Sequence, residues 1–177
     1  MTNFALPKLT TVLGGAASGK SSFAEALVLK TQTRPAYIAT AQVWDDEMAQ
    51  KVARHRDVRA DLWDTIEEPM DLPAALGKIG PDQPVLIDCA TLWLTNIMLA
   101  ERDIVAESDA LLAALAGHPA PIVIVTNEVG QGIVPENALA RRFRNAQGKL
   151  NQQLAAQSDL AVMVVAGLPM VLKGTLP

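Results

Sequence analysis

The chain has 177 residues, 50% of them hydrophobic, and a formal net charge of −4. This length suits a single domain over residues 1–177. Its core is large enough that the fold needs no disulfide bond or bound metal ion for stability. The excess of acidic over basic side chains argues against nucleic acid as the main partner. No signal-peptide pattern and no apolar run of about 20 residues occurs, so we expect a soluble cytoplasmic protein without a membrane span. Its one cysteine, Cys89, fits a reducing compartment.

Short β-type runs alternate with helical patterns along the chain. The strands are nearly continuous apolar runs, as in sheets covered on both faces, and the alternation predicts an α/β fold with a mostly parallel sheet flanked by helices. In chain order the predicted elements are strand Leu9–Leu13, helix Lys20–Lys30, strand Ala36–Thr40, helix Asp45–Arg59, a short strand within Trp63–Glu68, helix Asp71–Ile79, strand Val85–Cys89, helix Thr91–Glu101, helix Ser108–Ala116, strand Ile122–Thr126, helix Glu136–Gln157 and strand Leu160–Ala166.

A glycine-rich motif joins the first strand to the first helix. It fits the phosphate-loop (P-loop) pattern of Gly, four residues, Gly, Lys and Ser or Thr. Its amides and the helix N-terminus would bind nucleotide phosphates, Lys20 would reach the β- and γ-phosphates, and the Ser21 hydroxyl would ligate Mg²⁺. The alternative is a glycine-rich turn before an ordinary helix. The predicted nucleotide-binding residues are Gly14, Gly15, Ala16, Ala17, Ser18, Gly19, Lys20 and Ser21.

Asp88 is the candidate second metal ligand. It ends the apolar run from Val85, and the carboxyl ends of parallel strands border the ligand crevice of an open α/β sheet. A carboxylate there could hold Mg²⁺ directly or through water. The alternative is an aspartate that caps the helix predicted over Thr91–Glu101.

His55 has two interpretations. It continues an apolar stripe at helical spacing, formed with Trp44, Met48 and Val52. The pattern alone favours a partly buried structural histidine over a nucleophile or general base. The second histidine, His118, lies in a predicted turn beside Pro119, where we expect it to be solvated.

The segment after the fourth apolar strand, NEVGQGIVP over residues 127–135, is a further candidate loop at the crevice. Its paired glycines suggest a backbone close to a ligand. Arg141, Arg142 and Arg144 follow in the next helical pattern. They are either a solvated helix face or a phosphate clamp.

Together these segments resemble the bifunctional adenosylcobinamide kinase and adenosylcobinamide-phosphate guanylyltransferase family of cobalamin biosynthesis. The similarity extends across nearly the whole chain. The P-loop is shared by many families, whereas YIATAQ…DDEM…H and NEVGQGIVP are far more selective. The matching pieces are GGAASGKS, YIATAQVWDDEMAQKVARHRDVRADLW, VLIDCATLWLTN, VTNEVGQGIVPENALARRFRNAQGKLNQ and VAGLP.

The resemblance implies roles that the pattern alone left open. In this family a histidine after DDEM carries GMP covalently. The resemblance therefore implies that His55 is a catalytic residue, in addition to Lys20. Nucleotide contacts are implied for Arg56, Asp57 and Glu67. The resemblance also implies a RecA-like P-loop fold, ATP and GTP as substrates, adenosylcobinamide and its phosphate as acceptors, and a homotrimer.

The sequence departs from the family pattern at three positions. Ala17 stands where Arg is usual, Ala60 where Pro is common, and Asn145 where Asp is common. Because Ala17 would contribute only its backbone, we expect that change to be tolerated. The competing functions are a plain small-molecule P-loop kinase with a structural His55, a nucleotide-switched binding module, and a RecA-like DNA-dependent ATPase, which the acidic balance disfavours.

Overall fold

The structure is a computed structural model that describes residues 4–42 and 61–177. The predicted helix Asp45–Arg59 lies outside these residues. The described strands are β1 Leu9–Gly14, β2 Ala36–Ala39, β3 Asp64–Glu67, β4 Val85–Asp88, β5 Ile122–Asn127, β6 Leu160–Val165 and β7 Leu168–Lys173. The described helices are α1 Lys20–Leu29, α2 Leu72–Leu76, α3 Ala90–Leu99, α4 Ile104–Gly117 and α5 Ala138–Gln157.

The described strands form one sheet in the order β3-β2-β4-β5-β1-β6-β7. All neighbouring pairs are parallel except β6 and β7. The chain leaves β1 toward β2 on one side, and after β5 it crosses to β6 on the other side. This reversal beside β1 places a ligand crevice at the carboxyl ends of the central strands.

Alternating side chains divide the core between the two faces of the sheet. Ile38, Ile87 and Ile124 belong to a buried cluster with α2, α3, α4 and α5. The residues just before or after them, such as Tyr37 and Val125, belong to a second cluster with α1. Both faces are therefore covered, which explains why the strands read as continuous apolar runs.

The β7 strand was not predicted from the sequence, and β6 ends one residue earlier than predicted. Ala166 and Gly167 form a two-residue hairpin turn with φ values of 52° and 78°. Such turns need positive φ at both positions and are usually signalled by Asn-Gly or Gly-Gly, so Ala-Gly is a weak signal. Pro169 is tolerated because β7 is an edge strand.

Capping residues account for two shifted helix boundaries. The α4 helix begins at Ile104, four residues before the predicted start, because the Asp103 carboxylate accepts hydrogen bonds from Val105 N and Ala106 N. The α2 helix starts after Asp71, which caps it, and ends at Leu76, three residues early. No helix within 4–42 and 61–177 is long and apolar enough to cross a membrane.

The expectation that His118 is solvated was wrong. His118 is the C-cap residue of α4 and is only 7% exposed, although its neighbours Gly117 and Pro119 face solvent. Burial lowers the pKa of its imidazole, and the nearby Lys8 charge lowers it further.

Candidate active site

Three central strands bring the candidate site together at their carboxyl ends. The P-loop follows β1, Asp88 ends β4, and Asn127 ends β5, which lies between them. Gly14 pairs with Asn127 across β1 and β5, and Asp88 pairs with Val125 across β4 and β5. Residues far apart in the sequence therefore line one crevice.

The P-loop has the backbone of an anion cradle. Gly19, the N-cap of α1, has φ 90°, and Ala17 has φ 53°. No side chain caps α1, so its first amides stay available to an anionic ligand. Lys20 Nζ donates to Gly15 O at 3.0 Å, which folds the ammonium group back over the loop. This geometry supports the P-loop interpretation over an ordinary turn.

Two glycines of the loop fit tightly against β6 and its hairpin. A Cβ on Gly14 would overlap Ser18 Oγ and lie 2.9 Å from Val164 O. A Cβ on Gly19 would lie 3.1 Å from Gly167 Cα, and Gly167 N donates to Ser18 O at 2.8 Å. The hairpin that the sequence did not reveal thus supports the P-loop.

Asp88 faces the start of α1, the helix that follows the P-loop. Its Oδ1 lies 3.5 Å from Ser21 Oγ, and its Oδ2 accepts a 2.6 Å hydrogen bond from Tyr37 OH. The N-cap of α3 is Cys89, which makes no side-chain cap bond, so the alternative that Asp88 caps this helix was wrong. No motif in the sequence indicated the Tyr37 contact.

A hydroxyl and a carboxylate this close suit Mg²⁺. Within 4–42 and 61–177 there is no group of three or more His, Cys, Asp or Glu residues that could hold a metal ion. Mg²⁺ needs no such cage, because it commonly takes one or two protein oxygens, water and nucleotide phosphates. Ser21 and Asp88 therefore fit the ion.

The backbone beside Asp88 is fixed by buried side chains. Thr40 Oγ1 donates to Cys89 O at 2.8 Å and accepts from Cys89 N at 2.7 Å. Asn96 on α3 donates to Thr40 O and Pro69 O, each at 2.9 Å. Burial, helped by the Asp88 charge, raises the pKa of the Cys89 thiol to about 11. Cys89 is 6% exposed and belongs to the buried cluster on the α1 face of the sheet, so it is a packing residue.

The loop after β5 lies directly against the P-loop. Glu128 N donates to Gly14 O at 3.0 Å, and the Glu128 carboxylate accepts from Gly130 N. Arg144 donates to Gly130 O and Gly132 O. Arg141 donates to Pro135 O and Glu136 O in the same way. Arg141 and Arg144 thus hold the loop through its carbonyl groups. Neither the solvated helix face nor the phosphate clamp considered from the sequence included this role. Arg142 is exposed.

A buried polar network lies beneath Asn127. Thr91 Oγ1 accepts from Asn127 N at 2.7 Å, and Asn151 Nδ2 donates to Asn127 O at 3.0 Å. Thr126 Oγ1 donates to Asn151 Oδ1 at 2.7 Å, and Gln147 Nε2 donates to both of these oxygens at 2.9 Å. The sequence analysis did not anticipate this network.

The remaining predicted site residues stay predictions. Glu67 is exposed at the carboxyl end of β3, so it lies on the same side of the sheet as the P-loop, where the parallel strands end. It is four strands from Gly14, or about 19 Å from the interstrand spacing. His55, Arg56 and Asp57 lie outside the described residues.

Solved structures share this fold at low sequence identity. A Pyrococcus horikoshii OT3 protein has a TM-score of 0.60 at 8% identity, with 97% of this chain and 89% of that chain covered. The flagellar accessory protein FlaH of Methanocaldococcus jannaschii has a TM-score of 0.53 at 11% identity, covering 96% and 80%. A solved ATPase domain has a TM-score of 0.52 at 12% identity, covering 89% and 69%. The expected RecA-like P-loop fold, a mostly parallel sheet flanked by helices, is confirmed.

Sequence comparison identifies the family. The Pseudomonas aeruginosa bifunctional adenosylcobalamin biosynthesis protein CobP is 43% identical over 166 residues, with 92% of this chain and 96% of the relative covered. The Escherichia coli protein of the same description, CobU, is 42% identical over 178 residues, covering 92% and 98%. The family model described as cobinamide kinase / cobinamide phosphate guanyltransferase matches residues 10–172. The resemblance inferred from the motifs is therefore confirmed, and the chain belongs to the cobinamide kinase / cobinamide phosphate guanyltransferase family.

Proposed function

We propose that this enzyme phosphorylates adenosylcobinamide and then transfers GMP from GTP to the resulting phosphate, giving adenosylcobinamide-GDP. The observation that carries the proposal is an intact P-loop, facing Asp88 across β5, in a chain that matches the bifunctional family over residues 10–172. The family match distinguishes this function from that of a plain kinase or a nucleotide-switched binding module.

In the first reaction the acceptor hydroxyl oxygen attacks the γ-phosphorus of a nucleoside triphosphate. The bond to the bridging oxygen breaks, a nucleoside diphosphate leaves, and the hydroxyl proton passes to water. Lys20 and the α1 amides neutralise charge on the phosphates during this step. For Lys20 this requires exchanging its bond to Gly15 O, 3.0 Å long, for a phosphate oxygen.

Mg²⁺ is the proposed cofactor, held by Ser21 and Asp88. When bound, the ion neutralises and orients the β- and γ-phosphates. Tyr37 keeps one carboxylate oxygen of Asp88 engaged, so the other oxygen is directed toward Ser21. The hydrogen bond thereby orients the carboxylate for the ion.

In the second reaction His55 is the proposed nucleophile. Its neutral ring nitrogen attacks the α-phosphorus of GTP, the α–β bridging bond breaks, and pyrophosphate leaves. A phosphate oxygen of the corrinoid acceptor then displaces the imidazole and receives the GMP group. Arg56, Asp57 and Glu67 are the proposed contacts to the rest of the nucleotide, and Glu67 lies on the edge of the sheet where the nucleotide would extend.

The finer organisation is also proposed. We propose a homotrimer of one-domain subunits in the cytoplasm, acting on small molecules and not on nucleic acid. The apolar residues exposed on the edge strand β7, Leu168, Met170 and Leu172, support self-association. The cytoplasm contains the triphosphate substrates, and the free Cys89 thiol fits its reducing conditions. Sedimentation equilibrium would test the subunit number.

Covalent labelling with α-labelled GTP and Mg²⁺ tests the function. The wild type should gain one GMP per chain, and pyrophosphate or mild acid should remove it, because a phosphoramidate is acid-labile and base-stable. His55→Asn should bind GTP without being labelled. The other histidine offers a matched control, since His118 is buried away from the P-loop and His118→Gln should still be labelled. Labelling of His55→Asn would reject this nucleophile. An unlabelled wild type that nevertheless phosphorylates cobinamide would favour a plain kinase.

A further inference from the structure

An open groove of about 320 Å³ lies between α3 and α5, beyond the carboxyl ends of the strands. Just after α5 ends, Asp159 N donates to Leu9 O at the amino end of β1. Farther back along the helix, Asn151 donates to Asn127 O at the carboxyl end of β5. Because α5 begins several turns before Asn151, its first turns extend about 12–20 Å beyond the sheet. The residues that line the groove include Thr95, Met98, Leu99, Asn137, Leu139 and Phe143.

The β5–α5 loop, residues 128–137, connects this groove with the phosphate site. The loop starts on the P-loop, where Glu128 N donates to Gly14 O at 3.0 Å. It ends at Asn137, which is the N-cap of α5 and also lines the groove. Arg141 and Arg144 bond to four of its carbonyl groups, which fixes its shape. The groove and the phosphate site are therefore parts of one continuous surface on the carboxyl side of the sheet.

This surface exposes large apolar side chains. Ile133 and Val134 in the β5–α5 loop are 97% and 61% exposed, and Leu99 and Leu139 in the groove are about half-exposed. Because hydrogen bonds hold the loop, it cannot fold back to bury Ile133. Single exposed apolar residues are ordinary, but a concave group of them beside a catalytic crevice is typical of a ligand site.

The chemistry and size of this surface favour a large uncharged ring over a second copy of the chain. Among the described residues no charged side chain lines the groove, and its polar side chains are those of Thr95 and Asn137. The four exposed aliphatic side chains supply roughly 400 Å² or less, since even an aromatic side chain covers only about 150–250 Å². Each partner in a stable protein interface buries about 800 Å². The apolar surface is thus about half of what a second copy would cover.

Resting on the proposed function, we propose that the groove and the β5–α5 loop form the subsite that binds the corrin ring of the acceptor. The ring is a broad, mostly apolar macrocycle with uncharged carboxamides around its rim, and a side arm carries the acceptor hydroxyl. Ile133, Val134 and Leu139 contact the apolar face of the ring, while Thr95 and Asn137 offer hydrogen bonds to the rim. The side arm follows the loop from the groove to the P-loop. The subsite thus selects the acceptor by its ring and leaves the nucleotide untouched.

Direct binding of cobinamide tests the subsite without turnover. Its dissociation constant would be measured by equilibrium dialysis, from the visible absorbance of the corrin, with AMP-PNP and Mg²⁺ present so that no phosphoryl group is transferred. Ile133→Ser and Leu139→Ser should each weaken binding about tenfold, because apolar surface that the ring covers is lost. Ile133→Leu keeps that surface and should bind within about twofold of the wild type. Leu62→Ser is the matched control, since Leu62 is also about half-exposed but lies before β3, at the opposite end of the strands.

Kinetics and nucleotide binding separate a subsite from a structural role. Ile133→Ser and Leu139→Ser should raise KM for cobinamide about tenfold with kcat within about twofold, as expected when uniform binding is lost. Their AMP-PNP affinity and GMP labelling should match the wild type, which a collapsed loop would not allow because the loop bonds to the P-loop.

Two results would overturn the subsite. One is a wild type that binds cobinamide no better than both serine variants, and the other is a parallel loss of AMP-PNP affinity in them. A changed subunit number in sedimentation equilibrium would also overturn it, because a second copy would then cover the groove. A wild type that binds no cobinamide at all would contradict the proposed function itself, and the subsite with it.

Discussion

Gly14→Ala tests the packing of the P-loop against the sheet. The added Cβ would overlap Ser18 Oγ and lie 2.9 Å from Val164 O. The serine hydroxyl can rotate away, but Val164 pairs with Gly14 in the parallel ladder between β1 and β6, so its carbonyl cannot move without disturbing the sheet. We therefore expect the free energy of unfolding to fall by about 1–3 kcal/mol, the usual cost of overpacking.

A neighbouring glycine provides the matched control. A Cβ on Gly15 would have no atom within 4 Å, so Gly15→Ala should change stability by about 0.5 kcal/mol or less. For a chain of this size, the loss in Gly14→Ala corresponds to a Tm lower by about 2–12 °C, measurable by circular dichroism without nucleotide. If both variants have the same Tm as the wild type, the expected overpacking is absent. The close contact of Gly14 with β6 then does not constrain the loop.

Four further substitutions address the charges and hydrogen bonds. Lys20→Ala should abolish triphosphate turnover, because a cation on the β- and γ-phosphates is lost, and wild-type turnover and GTP affinity would contradict the site. Asp88→Asn should raise the Mg²⁺ concentration needed for half-maximal activity, whereas an unchanged Mg²⁺ titration would exclude the metal role. Tyr37→Phe should lower the free energy of unfolding by about 1.5–3 kcal/mol in urea titrations, since a hydrogen bond to a carboxylate is lost, and an unchanged midpoint would contradict this. Burial lowers the pKa of His118 in the folded state below its unfolded value of about 6.5. The stability that neutral His118 contributes should therefore be complete above about pH 6.5 and be lost as the pH falls through the lower, folded-state pKa. The Tm of His118→Gln should depend less on pH in that window than the wild-type Tm, and parallel pH profiles would refute the assignment.

Much of the fold was predictable because its signals are local. The β1, β2, β4 and β5 strands start at the predicted residues and end within one residue of the prediction, since both faces of the sheet are covered and the strands are uninterrupted apolar runs. The short strand within Trp63–Glu68 is confirmed as β3. The glycine pattern from Gly14 to Ser21 identifies the P-loop, because positive φ and close backbone approach restrict which residues fit.

The amino-acid sequence alone was enough to identify the P-loop, the parallel strands and, through its selective segments, the family. The folded chain was needed to show which residues meet Asp88 and what holds Asn127 in place. Tyr37 is 51 residues from Asp88 and lies beside it only because β2 and β4 are neighbours in the sheet. Thr91 and Asn151 approach Asn127 from two helices that pack on one face of the sheet. Such contacts depend on strand order and helix packing, which no local periodicity encodes, so they appear only once the chain is folded.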